Sequence, residues 1–359
     1  MEKYSVIGLM SGTSGDGLDI AYCHFAKSDK WSYEILKSET VEFPSALKTQ
    51  LMSAHKLPSS DLMSLDVTLG KWMGKEVKNF CQNLKTKPTA VCSHGHTVFH
   101  QPEKGLSLQI GNGWWLAQNS ELPAINDFRM LDISLGGQGA PLVPLGDKLL
   151  FHEYDFCVNL GGISNISMDV NGSRKAFDCT PFNGLLNLFA QKLGAEYDKD
   201  GNWAREGNVD RQLLENLNSL DYYQKSGAKS LGREDLESDF LPIISERGLN
   251  VKDILATLVE HYAIQISQII RKYAAKENPK ILLSGGGAYN KFFVERLSRN
   301  LQNTYEIILP DKEVIEFKEA LIFGFLGVLK MRGENNCLSS VTGAKEDSCG
   351  GTWYDYRPS

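Results

Sequence analysis

The seven cysteines of this 359-residue chain contain no CxxC pair, so nothing in their spacing calls for staples or a metal to hold the fold together. The opening MEKYSVIGLM lacks the charged start and long apolar core of a secretory signal. With an odd number of thiols, this predicts reduced cysteines and a cytoplasmic location. Long apolar runs are also missing: the longest near the end, Leu321 to Leu329, is far short of the ~20 residues that span a bilayer, and reads instead as a buried helix. An excess of positive charge is missing too. A formal net charge of −6 argues against holding nucleic acid or an anionic membrane by bulk electrostatics, so an anionic small ligand needs a local site. Neither the Gly-Lys-Ser/Thr of a Walker A loop nor a GxGxxG opening a helix occurs, which disfavours hydride transfer.

What is present is the composition of an ordinary globular protein, 42% hydrophobic and 23% charged, in a chain long enough for two domains. Tyr4 to Met10 is apolar, Ser11 to Gly17 is a glycine-rich turn, and Leu18 to Phe25 is apolar again: strand, turn, strand. Phe156 to Leu160, Gly161-Gly162 and Ile163 to Met168 repeat the pattern, which predicts two similar halves. From Val251 to Ile270 apolar residues recur at helical spacing behind Asn250 as N-cap. Ile281 to Leu283 then reads as a strand ending in Ser284-Gly285-Gly286-Gly287. The crossing between domains is expected at Gly136 to Pro144. This gives an N-terminal domain over 1–135, rejoined by 336–359, and a C-terminal domain over 136–335.

Three glycine turns carry the chemical signal. Gly12, Thr13, Ser14, Gly15, Asp16 and Gly17, ahead of Leu18 and Asp19, can offer backbone N–H groups and hydroxyls to a phosphate, although a tight hairpin explains one such turn equally well. Asn159, Gly161 and Gly162 form the second turn, and Ser284 with Gly285, Gly286 and Gly287 the third. Together they can grip a triphosphate from opposite sides of a cleft.

In this order the turns look like those of the actin, hexokinase and heat-shock ATPase superfamily. The match narrows at Gly8-Leu9-Met10-Ser11-Gly12-Thr13-Ser14, Asp16-Gly17-Leu18-Asp19, Ser93-His94-Gly95-His96-Thr97, Asp127-Phe128-Arg129, Gly136 to Pro144, Phe177-Asp178, Glu319-Ala320-Leu321 and Val341 to Ala344. The chain thereby resembles the anhydro-N-acetylmuramic acid kinases. That resemblance implies two actin-like (ribonuclease H-like) α/β domains with an interdomain nucleotide cleft. It also implies ATP and Mg²⁺ as cofactors, with no resident protein-bound metal, and a 1,6-anhydro sugar as substrate. Departures from the family pattern occur: Asp-Thr-Gly-Pro-Gly-Asn becomes Asp178-Cys179-Thr180-Pro181-Phe182-Asn183, where Phe182 is expected to narrow the loop. Gly15 and His96 replace a larger apolar residue and a glutamine.

The resemblance makes Asp178 the base that takes a proton from water and Glu319 a second active-site residue. Local sequence leaves both open, since Asp178 also fits a loop carboxylate before a helix capped by Thr180-Pro181, and Glu319 a helix N-terminal charge. Arg129 and Asp132 are candidates for the substrate's carboxylate and a sugar hydroxyl, or else form a surface ion pair. Asn183 joins them as a sugar contact. His94, His96 and His100 read as sugar contacts or structural histidines more readily than as metal ligands. The partners expected are a small anhydro sugar and no nucleic acid or membrane, with room left for a homodimer. Two alternatives stay open: a kinase of another sugar on the same fold, and a nucleotide-gated binding module without sugar turnover.

Overall fold

Residues 2–12, 17–225 and 229–356 are described by a computed structural model. β1 (Glu2–Ser11) and β2 (Leu18–Lys27) pair antiparallel without a register break, from Glu2 opposite Lys27 to Ser11 opposite Leu18. Val6, Ile7 and Leu9 face Leu18, Ile20, Ala21 and Cys23, all fully buried. Neither strand alternates because both faces are covered, the pattern of a central strand. β3 (Trp31–Val41) extends the meander and does alternate, being an edge. On the other side of β1 lie β4 (Ala90–Ser93) and β7 (Ala124–Asn126), both parallel, then the C-terminal β13 (Thr352–Tyr354), giving the order β13-β7-β4-β1-β2-β3. β5 (His96–Gln101) and β6 (Leu106–Ile110) form a separate hairpin.

The second sheet repeats this plan. β8 (Phe156–Leu160), β9 (Ile163–Val170) and β10 (Ser173–Pro181) form an antiparallel meander, and β11 (Lys280–Ser284) and β12 (Glu306–Ile308) add parallel strands beside β8, in the order β10-β9-β8-β11-β12. Both sheets therefore have the actin-like arrangement, with a glycine turn between the first two strands of each. The chain divides into Met1–Leu150 with Phe317–Ser359, and Phe151–Glu316. The expected crossing at 136–144 falls inside the first unit. There Asp132 anchors the glycine segment, and the helix Val143–Leu150 follows before the chain leaves.

Each unit has its own core. In the first, the helix Ser59–Phe80 approaches the helix Gly113–Ser120 closely, because a Cβ on Gly70 would lie 2.6 Å from Asn112 O and one on Gly74 2.8 Å from Leu116 O. In the second, the helix Val251–Tyr273 starts where Asn250 accepts a hydrogen bond from Asp253 N. It buries Leu255, Leu258, Val259, Tyr262 and Ile266 against Phe182, Phe189 and Phe293. The apolar run at 321–329 lies in the helix Lys312–Arg332, with Leu321, Ile322, Phe325, Leu326 and Val328 wholly buried. Among the described residues no helix is long and apolar enough to cross a membrane. All seven cysteines are free.

Candidate active site

The first glycine turn joins two paired strands. Gly17 opens on Val41, whose carbonyl oxygen a Cβ at this position would meet at 2.7 Å. Thr13, Ser14, Gly15 and Asp16 lie outside the described residues. Around the turn the same unit assembles polar groups from distant parts of the chain. Ser11 Oγ is 3.0 Å from His96 Nδ1, and Asp19 Oδ1 accepts a 2.6 Å bond from Thr40 Oγ1. Arg129 donates from Nε and Nη2 to His94 Nε2 at 3.1 and 2.7 Å, and from Nη1 to Gly139 O at 2.6 Å. Because a guanidinium only donates, His94 Nε2 must accept, which puts the imidazole proton on Nδ1, 2.9 Å from Gly95 O. Burial and the neighbouring Arg129 charge push His94 down to about 3, so it stays neutral. Among the described residues three of the five Arg129 N–H groups are engaged in this way, and the remaining pair can meet a carboxylate.

Glu319 lies seven residues into the helix Lys312–Arg332, so its position is not explained by a helix N-terminus. Burial raises its pKa; Lys318 and Arg129 pull it back, while Asp19 and Asp147 add to the rise. These influences gather Asp19, Arg129 and Glu319 into one electrostatic neighbourhood. Burial brings Arg129 down to about 10 against the opposing pull of Glu319, and it remains a cation at neutral pH. Sequence reasoning missed the pair beside them, Lys318 Nζ and Asp147 Oδ1 at 2.7 Å, both nearly inaccessible. Lys318 adjoins Glu319 in sequence, but nothing local announces Asp147 as its partner.

Asp132 is corrected. Only 1% exposed, its carboxylate accepts from Gly139 N (2.7 Å), Thr342 Oγ1 (2.7 Å) and Cys337 Sγ (3.1 Å). It fastens the 136–139 segment to the C-terminal segment and has no face for a sugar hydroxyl. The three histidines part company: His94 serves Arg129, His96 serves Ser11, and His100 Nδ1 is 3.0 Å from Ser107 Oγ. Among the described residues no group of three or more His, Cys, Asp or Glu is placed to hold a metal ion.

In the second unit the other two glycine turns come together. Asn183 N and Gly184 N donate to Gly161 O (3.1 Å) and Gly162 O (3.0 Å), and Asn183 Nδ2 donates to Leu160 O (3.2 Å). A Cβ on Gly285 would lie 2.6 Å from Asn159 Oδ1 and 3.0 Å from Leu160 O. Gly285, at φ 78°, therefore needs glycine for both space and conformation. Ser284 is buried against β8, pairing with Asn159 in the parallel register. Asn183, expected to meet the sugar, instead has its amide tied to the β8 end of the second turn.

Asp178 lies near the end of β10, where the register slips between Asp178 and Thr180. Its Oδ2 accepts from Leu231 N (2.9 Å), its own N–H donates to Lys229 O (3.0 Å), and Tyr222 Oη donates to its carbonyl (2.7 Å). Burial pushes its carboxyl up to about 6, against the one backbone donor. Two expectations around it fail. Thr180 and Pro181 belong to the strand, with the Thr180 hydroxyl 2.9 Å from Ser164 Oγ, and the helix Asn183–Gln191 is entered through Phe182. Phe182 does not narrow the loop: its ring is wholly buried, 4.7 Å from that of Phe293 and 5.3 Å from that of Tyr262. Gly287 gives it room, since a Cβ there would overlap the Phe182 ring and lie 2.8 Å from Leu160 Cβ.

The arrangement offers a carboxylate poised to take a proton near neutrality, paired glycine turns, and a separate cluster of arginine and carboxylates. A model of the family described as anhydro-N-acetylmuramic acid kinase matches residues 4–356. The chain belongs to the anhydro-N-acetylmuramic acid kinase family. Two curated anhydro-N-acetylmuramic acid kinases illustrate the match. That of Pseudomonas syringae pv. syringae (strain B728a) is 35% identical, over 94% of this chain and 96% of its own length. That of Shewanella pealeana (strain ATCC 700345 / ANG-SQ1) is 35% identical over 99% of both. Among solved structures, the activator of the 2-hydroxyisocaproyl-CoA dehydratase from Clostridium difficile with bound ADPNP is similar at a TM-score of 0.45 and 15% identity, covering 91% of this chain and 97% of that chain. As a member of the anhydro-N-acetylmuramic acid kinase family, the protein is a kinase.

Proposed function

We propose that the protein uses ATP and one water to open 1,6-anhydro-N-acetylmuramic acid and phosphorylate O6, giving N-acetylmuramic acid 6-phosphate for cell-wall sugar recycling in the cytoplasm. The observation that carries the reading is Asp178: a carboxyl held near pH 6 by burial, on the strand that runs into the loop bound to the second glycine turn. Water attacks C1 and gives its proton to the Asp178 carboxylate. The C1–O6 bond breaks as O6 bonds to the γ-phosphorus, and ADP leaves with the electrons of the broken P–O bond. One carboxylate suffices, since the departing O6 is taken up by phosphorus and needs no separate acid.

The glycine turns at 12–17, 159–162 and 284–287 are the proposed nucleotide contacts. Arg129, held rigid by His94 and Gly139, is the proposed clamp for the sugar's carboxylate. His96, fixed by Ser11, is a proposed sugar contact. Asp19 and Glu319, which share one electrostatic neighbourhood, would be the residues to hold Mg²⁺, since an ion carried largely by phosphate oxygens and water needs only one or two protein ligands. It would supply charge neutralisation at the transferring phosphoryl group.

The deciding experiment is mass spectrometry of the product formed in ¹⁸O-water. One label is expected on the anomeric oxygen and none in the new phosphate. Label in the phosphate, or phosphorylation with the bridge intact, would overturn the mechanism. A second expectation concerns pH. With a free-enzyme base near pH 6, kcat/KM should fall about tenfold per unit below that pH. An acid limb near pH 4, at the ordinary value for an exposed carboxyl, would remove Asp178 from the role.

A further inference from the structure

We propose that a hollow in the second unit, lined by Lys225, Lys229 and Lys272, binds a small phosphate monoester. The cavity has a volume of about 130 Å³, and its apolar walls are Phe177, Tyr223 and Tyr273. It is built from residues outside the glycine turns, and the proposed reaction uses none of its side chains. Among the described residues lining it there is no carboxylate. Lys229 is half-buried, and that burial is the main cause that pushes its pKa down; Cys179 pulls it back, and the charges of Lys272 and Lys225 lower it further in smaller measure.

Lys229 therefore feels the repulsion of both other ammonium groups, offset by the Tyr222 carbonyl and by π-faces that carry no net charge. Lys229 Nζ lies 4.4 Å from the centroid of Tyr222, Lys225 Nζ 5.8 Å from the same ring, and Lys272 Nζ 5.4 Å from that of Tyr273. Rings of this kind attract a cation only weakly at exposed sites and cancel no charge. A dianion with three acceptor oxygens cancels it and can meet all three donors by charge-assisted hydrogen bonds. The aromatic walls select among anions, because they favour a phosphate that carries an apolar or flat body over inorganic phosphate.

The hollow is also wired to Asp178. Lys229 Nζ donates to Tyr222 O (3.3 Å), Tyr222 Oη donates to Asp178 O (2.7 Å), and Lys229 O accepts from Asp178 N (3.0 Å). Leu231, two residues on, holds the Asp178 carboxylate. An anion that draws Lys229 toward it bears on the backbone that fixes this side chain; the regulatory consequence rests on Asp178 being the base, whereas the binding site does not.

The test is calorimetric titration of the full chain, without nucleotide or sugar, using phenyl phosphate and inorganic phosphate as probes. Phenyl phosphate should bind saturably, and raising salt from about 50 to 200 mM should weaken it several-fold. Lys225→Gln/Lys272→Gln should weaken binding at least about tenfold, whereas Lys225→Arg/Lys272→Arg, which keeps both charges, should stay within about threefold. Equal affinity in the glutamine pair and the wild type would overturn the site, as would no saturable binding below about 10 mM. Inorganic phosphate binding as tightly as phenyl phosphate would overturn the monoester assignment. Loss of binding in both pairs, with unchanged circular dichroism, would also count against a charge-based site.

Discussion

Asp178→Asn should lower turnover by roughly two to four orders of magnitude, the usual loss when a general base goes, while leaving the fold and nucleotide binding intact. The amide is nearly isosteric with the carboxylate. Asn can still accept from Leu231 N through its oxygen, and the bonds from Tyr222 Oη to the residue 178 carbonyl and from its N–H to Lys229 O involve backbone alone. What disappears is the charge that accepts a proton. The same charge is a liability for the fold. Because burial raises the folded-state pKa to about 6, the protonated form is favoured in the native state. The stability linked to that proton is full below the unfolded value near 4 and lost as pH rises through about 6. At pH 7 the wild type has lost it and the neutral amide has not, so Asp178→Asn should melt at a higher temperature than wild type, by a margin that shrinks toward pH 4. Rates of sugar-dependent ADP release and melting curves at pH 4.5 and 7 check both halves. A near-normal rate rejects the assignment, and a lower Tm at pH 7 rejects the burial argument.

Much of this is legible in the sequence. Strand–glycine turn–strand appears twice in the sequence, and both copies form the first hairpin of a sheet, because paired apolar runs separated by glycine have few other ways to satisfy their backbone. The helix begun by Asn250 was readable from its cap and period. What local pattern could not reveal were side chains whose fate is set by partners far along the chain. Phe182 looks like an obstruction in a catalytic loop, and only the space left by Gly287 and the rings of Tyr262 and Phe293 turns it inward. Asp132 looks like a free acid beside an arginine, yet Thr342 and Cys337 from the C-terminal segment take up its oxygen. Glu319 looks like a helix start because the apolar run begins just after it, whereas the helix had already begun at Lys312.

Gly8→Ala should destabilise the protein by roughly 3 kcal/mol or more, the high end of what overpacking a core costs. Gly8 sits in the middle of β1, between β2 and β4, where the helix Lys312–Arg332 crosses the sheet at backbone contact. A Cβ there would overlap the carbonyl oxygen of Ala320, and would lie 2.8 Å from its carbonyl carbon and 2.9 Å from Gly324 N. These are backbone atoms on a rigid helix; no rotamer change relieves them, so the helix itself must lift from the strand. For a unit of this size the Tm should fall by roughly 6–12 °C. Gly324 on the opposite side is not equivalent. Its own Cβ would meet Gly8 Cα and Val6 Cγ2 at 3.5 Å, an ordinary contact, so Gly324→Ala should be neutral or stabilising by up to about 1 kcal/mol from helix propensity. The pair separates a specific close approach from a general intolerance of bulk at this crossing; equal losses from both would refute it. Lifting the helix also moves Glu319, the residue beside Ala320, away from Asp19 and Arg129. The Gly8→Ala protein that remains folded below its melting point should therefore turn over more slowly than wild type at the same temperature, whereas Gly324→Ala should keep the wild-type rate.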